Sequence, residues 1–553
     1  MEPIWLHHYP EGVPQRIESD RYASLVDVLE RSMVAHRDNV AFESLGGRLH
    51  YGDVDRLSQH FASYLQNILG LAKGDRLALM MPNLLTYPVA IIGALRAGMV
   101  VVNINPQSAQ REIAEQLRDS GSRAILVAEP YAHKLAQVLP ETAVERTIVS
   151  TVGDLQPTAR RLALNARARH LRRAIPSWKI PGHLAFADAL ARGERQPANR
   201  CVLTQRDLAF LQYTGGTTGE PRGVMLSHGN MVANVLQCRA WIMPWIEEGR
   251  ERIITALPIH HAFALTANFL VFFAIGGTNL LIANPRDFTG LVRAMARTSF
   301  TAFTGVNTLF NRLLNTPGFG EIDFSALKVT LGGGSAVQAA VAERWRAVTG
   351  KPLTEAYGLT EAAPAVSMNP LSDPEYNGTV GMPLPATEIS VRDESGAEVP
   401  TGTAGELCVR GPQVTPGYWR QEAATRAAFT RDGFLRTGDI ARLDERGCIT
   451  LLERRQDVII VSGFNVYPSE VEAVVAGCDG VLECACMGVP DSDTGEAVKL
   501  FVVRTDESLD EPRLRAYCAE RLSRYKLPRD IVFVEEMPKS HVGKILRRAL
   551  PAR

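Results

Sequence analysis

The sequence predicts an α/β protein. A large N-terminal domain of layered α/β subdomains plus a β-rich subdomain is followed by a small C-terminal α+β domain. Three observations lead to this prediction. Helix and strand patterns alternate through much of the chain, which is typical of parallel α/β layers. Short strands with glycine turns follow after Pro385, and a compact pattern of its own begins near Gln456. We therefore predict domains at residues 1–455 and 456–553.

The α/β layers begin in residues 51–129, where three helical patterns alternate with the strand-like runs DRLALMM, MVVVNIN and RAILVAE. The alternation resumes at Asp207 with a strand, DLAFLQ, that leads into a glycine-rich loop. The helix GNMVANVLQCRAWIM and the strand LKVTLGGGSAV follow. Ligands bind beyond the carboxyl ends of parallel strands, so these glycine-rich ends are candidate phosphate sites.

The two later units are predicted from shorter segments. The β-rich subdomain contains the strand patterns EISVRD, GELCVRG and GCITLLE. The C-terminal domain contains two strands near VLECACMGV and AVKLFVVR, a helix through RLRAYCAERLS, and a basic tail.

Composition restricts the class of protein. Of the 553 residues, 46% are hydrophobic and 22% are charged, so the chain can bury large cores. Sixty Lys and Arg residues balance sixty Asp and Glu residues, and no global field favours a nucleic-acid partner. The N-terminus lacks the pattern of a secretory signal, and the eight cysteines form no C-x-x-C pair. We interpret the cysteines as reduced, packed residues of a cytoplasmic protein.

Two segments bear on membrane association. Residues 258–285 contain no charged side chain and are close to membrane-spanning length, but a Gly-Gly pair and polar residues divide them into a helix-sized and a strand-sized piece. We favour a buried helix, turn and strand there.

Residues 159–179 combine one apolar helical face with six arginines. This helix fits either an anionic membrane surface, where it would hold the protein peripherally, or plain solvent exposure. A homodimer also stays open.

The loop YTGGTTGEPRGVMLSH, from Tyr213 to His228, follows the strand that begins at Asp207. Its glycines allow backbone N–H groups to converge and its threonines add hydroxyl donors, so it is suited to hold anionic phosphate oxygens. The Walker A pattern requires a lysine directly after its last glycine. Here Gly219 is followed by Glu220, Pro221 and Arg222, so the loop is not a Walker A loop.

Further motifs follow this loop in a fixed order. They are ALPIHHAFALT (256–266), GGGSAVQ (332–338), EAYGLTE (355–361), GELCVRGPQVTPGYW (405–419), RTGDI (436–440), VSGFNVYPSEVE (461–472) and PKSHVGKILRR (538–548). Together they resemble the adenylate-forming superfamily of acyl-CoA synthetases, luciferases and nonribosomal peptide adenylation domains. The YTGGTTG form is similar to that of bacterial long-chain fatty acyl-CoA ligases. The similarity covers nearly the whole chain.

The resemblance implies an activity. A medium- or long-chain fatty acid would attack the α-phosphate of ATP in the presence of Mg²⁺, forming an acyl-adenylate and pyrophosphate, and the thiol of CoA would then displace AMP. It also implies that the C-terminal domain is mobile between the two steps. The alternatives are an aryl-CoA ligase, a ligase that stops at the acyl-adenylate, and a degenerate member that only binds nucleotide or lipid.

Residue roles are implied by the same motif match. Lys544 would contact the carboxylate and the α-phosphate during adenylation, and Glu361 with Thr217 would position Mg²⁺. Tyr357 would stack near adenine, and Asp439 would accept hydrogen bonds from the ribose. The further nucleotide or CoA contacts would be Tyr213, Thr214, Gly215, Gly216, Thr217, Thr218, Gly219, Arg222, Gly332, Gly333, Gly334, Gly358, Thr360, Arg454 and Gly463. The acyl group would meet His261, Phe263, Gly305 and Gly334.

The chain departs from the family pattern at several positions. Arg222 replaces the usual loop lysine, which keeps the charge but presents a planar fork. Gln456 stands at the domain hinge where the family has Asp or Lys, and Ala336 stands where many members have proline. Residues 103–113 lack the Tyr-Thr that commonly follows Asn-Pro in fatty acyl ligases. We expect altered domain switching and an open acyl-chain preference, with activity retained.

Overall fold

The protein is described by a computed structural model that covers residues 3–171, 175–215, 221–373, 375–491, 493–505, 507–540 and 543–551. The strands are β1 Val40–Ser44, β2 Gly47–His50, β3 Arg76–Met80, β4 Val100–Asn103, β5 Ala124–Ala128, β6 Arg146–Ser150, β7 Leu184–Ala185, β8 Leu208–Gly215, β9 Pro221–Ser227, β10 Arg252–Thr255, β11 Thr278–Leu281, β12 Ala302–Gly305, β13 Val329–Gly332, β14 Thr354–Gly358, β15 Ala365–Met368, β16 Met382–Pro383, β17 Glu388–Arg392, β18 Gly405–Arg410, β19 Leu435–Leu443, β20 Ile449–Arg454, β21 Ile459–Val461, β22 Phe464–Val466, β23 Val481–Asp491, β24 Gly495–Arg504 and β25 Asp530–Phe533.

The longer helices connect these strands and cover the sheets. They are α1 Leu25–Ala35, α2 Tyr51–Ser63, α3 Thr86–Arg96, α4 Gln110–Ser120, α5 Ala132–Val138, α6 Thr158–Ala166, α7 Phe186–Gly193, α8 His228–Ile242, α9 Val271–Ala274, α10 Phe288–Ala296, α11 Asn307–Leu314, α12 Ala339–Thr349, α13 Glu422–Ala428, α14 Pro468–Ala476 and α15 Glu511–Ala519.

A seven-stranded sheet has the order β7-β6-β5-β3-β4-β8-β9 and is parallel except for the last pair. Its strands β4 and β5 are buried at every residue. This explains why they read as continuous apolar runs, because helices cover both faces of a parallel sheet. Strand β8 continues into the glycine-rich loop, as the sequence predicts.

A nine-stranded sheet has the order β16-β15-β14-β13-β12-β10-β11-β1-β2. The neighbouring strands β14, β13, β12, β10 and β11 pair in parallel, so their carboxyl ends lie at one edge of the sheet. The glycine motif at 332–334 and the EAYGLTE motif stand at this edge. The sheet therefore brings two distant motifs together.

The uncharged segment 258–285 forms a buried helix, a turn and a strand, so that prediction is confirmed. A π-helical segment, Ala264–Leu270, continues into α9, and Gly276 with a φ of 73° turns the chain toward β11. Phe269 and Phe273 are fully buried there and contact Phe42. Among the described residues, no helix is long and apolar enough to cross a membrane.

The remaining strands form two smaller sheets. The four-stranded sheet β17-β18-β19-β20 is antiparallel throughout and makes up the β-rich subdomain. The C-terminal domain packs α14 and α15 on the sheet β22-β21-β24-β23, with β25 paired to β24. All eight cysteines are free thiols, and seven of them are buried. The predicted fold class is confirmed, whereas the boundary at 455/456 and the mobility of the C-terminal domain stay predictions.

Candidate active site

A cleft with a volume of about 2430 Å³ lies where the carboxyl ends of β8, β13 and β14 meet the C-terminal domain. Residues from both domains line it. Those that the sequence analysis named are Tyr213, Thr214, Arg222, His261, Phe263, Gly333, Gly334, Tyr357, Gly358, Thr360, Glu361, Asp439, Arg454 and Lys544. Chain segments more than three hundred residues apart thus share one solvent-filled space.

The carboxylate of Asp439 is held between two donors. The Tyr357 hydroxyl donates a hydrogen bond of 2.5 Å to Oδ2, and the Arg454 Nε lies 2.9 Å from Oδ1. Asp439 is only 6% exposed, and burial together with the charge of Asp439 raises the pKa of Tyr357 well above its ordinary value. Each carboxylate oxygen keeps a further acceptor position. The group is therefore fixed in orientation and still able to accept hydrogen bonds.

Glu361 stands opposite, in a short turn that follows β14. The Tyr418 hydroxyl donates a hydrogen bond of 3.0 Å to its Oε1, and the Thr415 amide donates to its backbone carbonyl at 2.7 Å. The guanidinium carbon of Arg222 lies 5.5 Å from the centre of the Tyr418 ring. Both the side chain and the backbone of Glu361 are therefore oriented by the segment 415–418.

Lys544 enters the cleft from the C-terminal domain. Its amide donates to the Ser540 hydroxyl at 3.1 Å, and its carbonyl accepts from the Ser540 amide at 2.7 Å, so a closed turn carries the side chain. Burial lowers the pKa of the Lys544 ammonium, and the positive charge of Arg454 adds to this effect, while Asp439 opposes it. Lys544, Asp439 and Arg454 all line the cleft.

The lining of the cleft includes His261 and many apolar residues. The Phe263 amide donates to Nδ1 of His261 at 3.3 Å, which fixes the orientation of the ring. The cleft is also lined by a mostly apolar set of residues: Cys238, Ile242, Leu257, Thr266, Ala267, Val271, Phe272, Val329 and Leu331. They form a candidate acyl channel.

The segment 301–314 contributes less to this channel than the sequence suggested. Only Val306, Asn307 and Thr308 of that segment line the cleft. Phe303 and Phe310 point into a separate core, where the Phe310 ring centre lies 4.9 Å from that of Trp345. The apolar residues of α11 therefore stabilise the fold behind the cleft.

Some predicted site residues do not line the cleft. Gly305 and Gly332 are register partners on β12 and β13, where a β-carbon would lie 2.9 Å from Phe310 and 2.5 Å from Val337, respectively. Gly463 occupies the exposed turn between β21 and β22 with a φ of 82°. Gly215 ends β8. The phosphate-loop residues Gly216, Thr217, Thr218 and Gly219 lie outside the described residues.

The structure also brings in residues to which the sequence analysis gave no role. Tyr418 lay inside a quoted motif, but its bond to Glu361 depends on how the β-rich subdomain packs. Glu355 lines the cleft, is 6% exposed, and has its pKa raised to about 8 by burial. Thr308 lies on the opposite wall. The EAYGLTE motif could have pointed to Glu355, since a carboxyl within a largely buried strand is unusual.

Two family models match the chain. The AMP-binding enzyme model covers residues 29–419, and the AMP-binding enzyme C-terminal domain model covers residues 470–544. The chain belongs to the AMP-binding enzyme family. The resemblance to the adenylate-forming superfamily is thereby confirmed.

Similar full-length proteins are ligases. The long-chain-fatty-acid–CoA ligase of Escherichia coli O6:H1 is 50% identical over 550 residues, which are 100% of this chain and 98% of that protein. The ligase of the same name from Yersinia pestis is 47% identical with the same coverage. The one from Bacillus subtilis is 34% identical, over 99% of this chain and 97% of that protein.

Solved structures show the same architecture. ATP-bound MatB from Rhodopseudomonas palustris superposes with a TM-score of 0.81 at 27% identity, over 95% of this chain and 97% of that chain. The apo form of MatB gives a TM-score of 0.73 with the same coverage.

Proposed function

We propose that this protein is a long-chain fatty acid–CoA ligase that uses ATP, Mg²⁺ and CoA and releases AMP and pyrophosphate. One observation carries the proposal. A lysine of the C-terminal domain, Lys544, shares a cleft with the oriented carboxylates Asp439 and Glu361 and with an apolar channel that begins at His261. Ligases of this name that are similar over the whole chain support the choice of substrate.

The adenylation step brings a carboxylate to the α-phosphate, so its transition state carries extra negative charge. Lys544 supplies a flexible ammonium that contacts an oxygen of each group. Arg222 adds a second positive charge at the rim, beside Tyr418. These charges stabilise the transition state more than the separated reactants, which is what accelerates the step.

Asp439 orients the nucleotide by accepting hydrogen bonds from the two ribose hydroxyls. Tyr357 and Arg454 hold this carboxylate in place, so its orientation does not change when the nucleotide binds. The adenine base lies against the Tyr357 ring and the glycines at 333–334, where the missing side chains leave room for a flat group. The phosphate loop from Thr214 to Gly219 holds the β- and γ-phosphates.

Mg²⁺ would be held by Glu361, with Thr217 as a second oxygen ligand. The donor chemistry fits, because Mg²⁺ in nucleotide sites takes one or two carboxylates and completes its shell with phosphates and water. Among the described residues no group of three or more His, Cys, Asp and Glu could hold a metal. When bound, the ion neutralises phosphate charge, and Tyr418 keeps Glu361 directed at it.

The acyl chain lies in the apolar channel, with its carboxylate beside His261 and Phe263. In the second step the C-terminal domain turns so that the hairpin with Gly463 faces CoA. This hairpin is exposed here, and no heavy atom lies within 4 Å of the position where a Gly463 β-carbon would stand. The pantetheine arm can therefore pass close to the backbone.

The test is AMP formation from ATP and Mg²⁺ with straight-chain acids from octanoic to octadecanoic acid, measured with and without CoA. We expect AMP and thioester to form together and only when CoA is present. Pyrophosphate release that does not respond to CoA would indicate a ligase that stops at the adenylate, and a preference for benzoic acid would indicate an aryl-CoA ligase. ATP binding without turnover of any acid would refute the proposal in favour of a binding protein.

Peripheral membrane contact through residues 159–179 is a further part of the proposal. Helix α6 has no buried residue, and Leu162 is 62% exposed. Arg169 bonds Glu129, and Arg172 and Arg173 lie outside the described residues. Replacing Arg167, Arg169, Arg172 and Arg173 should reduce the sedimentation of the protein with anionic liposomes. Unchanged sedimentation would refute the membrane contact. The homodimer stays a prediction.

A further inference from the structure

Helix α11 separates a core face from a face directed at the C-terminal domain. Its apolar residues Leu309, Phe310 and Leu313 are buried in the large domain. The residues Thr308, Asn311 and Arg312 stand at helical spacings of three and four, so they share the other side. We call these three residues the docking stripe.

Each residue of the docking stripe meets the C-terminal domain. The Thr308 hydroxyl donates a hydrogen bond of 2.7 Å to the Gly543 carbonyl. The Asn311 side-chain amide donates a bond of 2.7 Å to the Leu482 carbonyl. The Arg312 Nε lies 3.8 Å from Glu483, which is buried and also bonds Lys539 at 2.7 Å. The stripe thus holds the beginning of β23 and the turn before Lys544.

The Gly543 carbonyl that accepts the bond from Thr308 belongs to the peptide group that joins Gly543 to Lys544. The turn itself is closed by the bonds between Ser540 and Lys544 described above and by the Gly543 amide, which donates to the Ser540 carbonyl at 3.0 Å. A β-carbon on Gly543 would lie 2.9 Å from the Thr308 hydroxyl, and the φ of Gly543 is 89°. The contact is therefore close and depends on the glycine backbone.

We propose that Thr308 and Asn311 are positioning residues for adenylation, which hold the C-terminal domain in the state where Lys544 reaches the cleft. This inference rests on the proposed function. The hydrogen bonds exist only while the two domains are in this arrangement, so they stabilise it relative to any other. Lys544 lines the same cleft as Asp439 and Glu361, which supports the assignment of this arrangement to the adenylation step.

The experiment separates the two half-reactions. Thr308→Val removes the donor and keeps the shape, and Asn311→Asp removes the amide donor to the Leu482 carbonyl and keeps the shape. Adenylation is followed as pyrophosphate release with a saturating fatty acid and no CoA, in a single turnover. Thioester formation is followed with added acyl-adenylate and CoA. We expect each variant to slow adenylation about fivefold, the usual effect of one lost hydrogen bond, and to leave thioester formation unchanged.

Two further variants make the result specific. Thr308→Ser keeps the hydroxyl and should restore adenylation to near the wild-type rate. Thr316→Val is the matched control. Thr316 follows the end of α11, and among the described residues its hydroxyl donates to the Arg312 carbonyl of that helix, within the large domain, so the variant should leave both half-reactions unchanged. Equal slowing of both half-reactions by Thr308→Val and Asn311→Asp, or slowing of neither, would overturn the inference. Failure of the proposed function is distinct, since the wild type would then adenylate no acid.

Discussion

Arg547 connects the two domains beside the chain link, and its replacement by methionine should destabilise the C-terminal domain. Its guanidinium lies 2.7 Å from Glu453 at the end of β20 and 2.8 Å from Glu472 on α14. Nε donates a second bond of 3.0 Å to Glu472. The side chains of Glu453 and Glu472 are 5% and 15% exposed. Arg547→Met therefore leaves two largely buried carboxylates without their cation.

The size of the effect depends on pH. Removing one partner of a buried ion pair costs about 3–5 kcal/mol, which is the expected loss near neutral pH. Burial raises the pKa of Glu472, and the Arg547 charge partly opposes this rise. In the variant the folded pKa of Glu472 rises further above its unfolded value. The stability that protonated Glu472 contributes is fully present below its unfolded pKa and is lost as pH rises through its folded pKa. The loss in free energy of unfolding caused by Arg547→Met should therefore shrink as pH falls toward about pH 4.

Hydrogen exchange of the β24 amides measures this prediction, because these strand amides report on opening of the C-terminal domain. Exchange in Arg547→Met should be faster than in the wild type at neutral pH, and the difference should fall on acidification. Arg521→Met is the control, since Arg521 pairs with Glu520 at the surface and should cost at most about 1 kcal/mol. If Arg547→Met lowered the free energy of unfolding by the same amount at neutral pH and at about pH 4, the role assigned to the buried carboxylates would be refuted.

Three further predictions concern the cleft. Lys544→Ala should lower the adenylation rate by about 10²–10³-fold, as for other lost transition-state contacts, while thioester formation from added acyl-adenylate is retained; equal loss in both would contradict the role of Lys544. Tyr418→Phe removes the donor to Glu361 and should raise the Mg²⁺ concentration needed for half-maximal rate about fivefold, and an unchanged Mg²⁺ titration would refute the orienting role. Ile242→Trp should shift the preferred acid to shorter chains at equal Mg²⁺ and ATP affinity, because Ile242 lines the apolar channel; an unchanged chain-length profile would place the chain elsewhere.

The fold was predictable where local pattern and burial agree. The runs that became β3, β4 and β5 are apolar because both faces of the sheet are covered, and that pattern is visible in one dimension. The division of residues 258–285 into helix and strand was predictable for a similar reason, since glycines and polar residues interrupt a span. Motif order then indicated which strand ends would carry phosphate-binding loops.

The contacts that orient the site were not predictable in the same way. The bond between Tyr418 and Glu361 joins residues 57 positions apart in different subdomains, and nothing in either local pattern requires it. The apolar residues of 301–314 suggested a channel wall, but a helix can turn the same residues toward a core, as Phe310 shows. Which face of α11 meets the cleft follows from the packing of Trp345, which only the tertiary structure reveals.

The polar character of the docking stripe has a thermodynamic consequence. Hydrogen bonds at a half-buried surface are exchanged for bonds to water when the surfaces part, so each contributes only about 1 kcal/mol to the closed arrangement. An apolar seam of the same extent would release its area to water at a far larger cost. The two hydrogen bonds of the docking stripe therefore add only about 2 kcal/mol to the closed arrangement, and a difference in the affinity of a bound nucleotide for the two arrangements can offset this amount. Weak polar contacts at the docking stripe allow the two domains to separate and close again in every turnover.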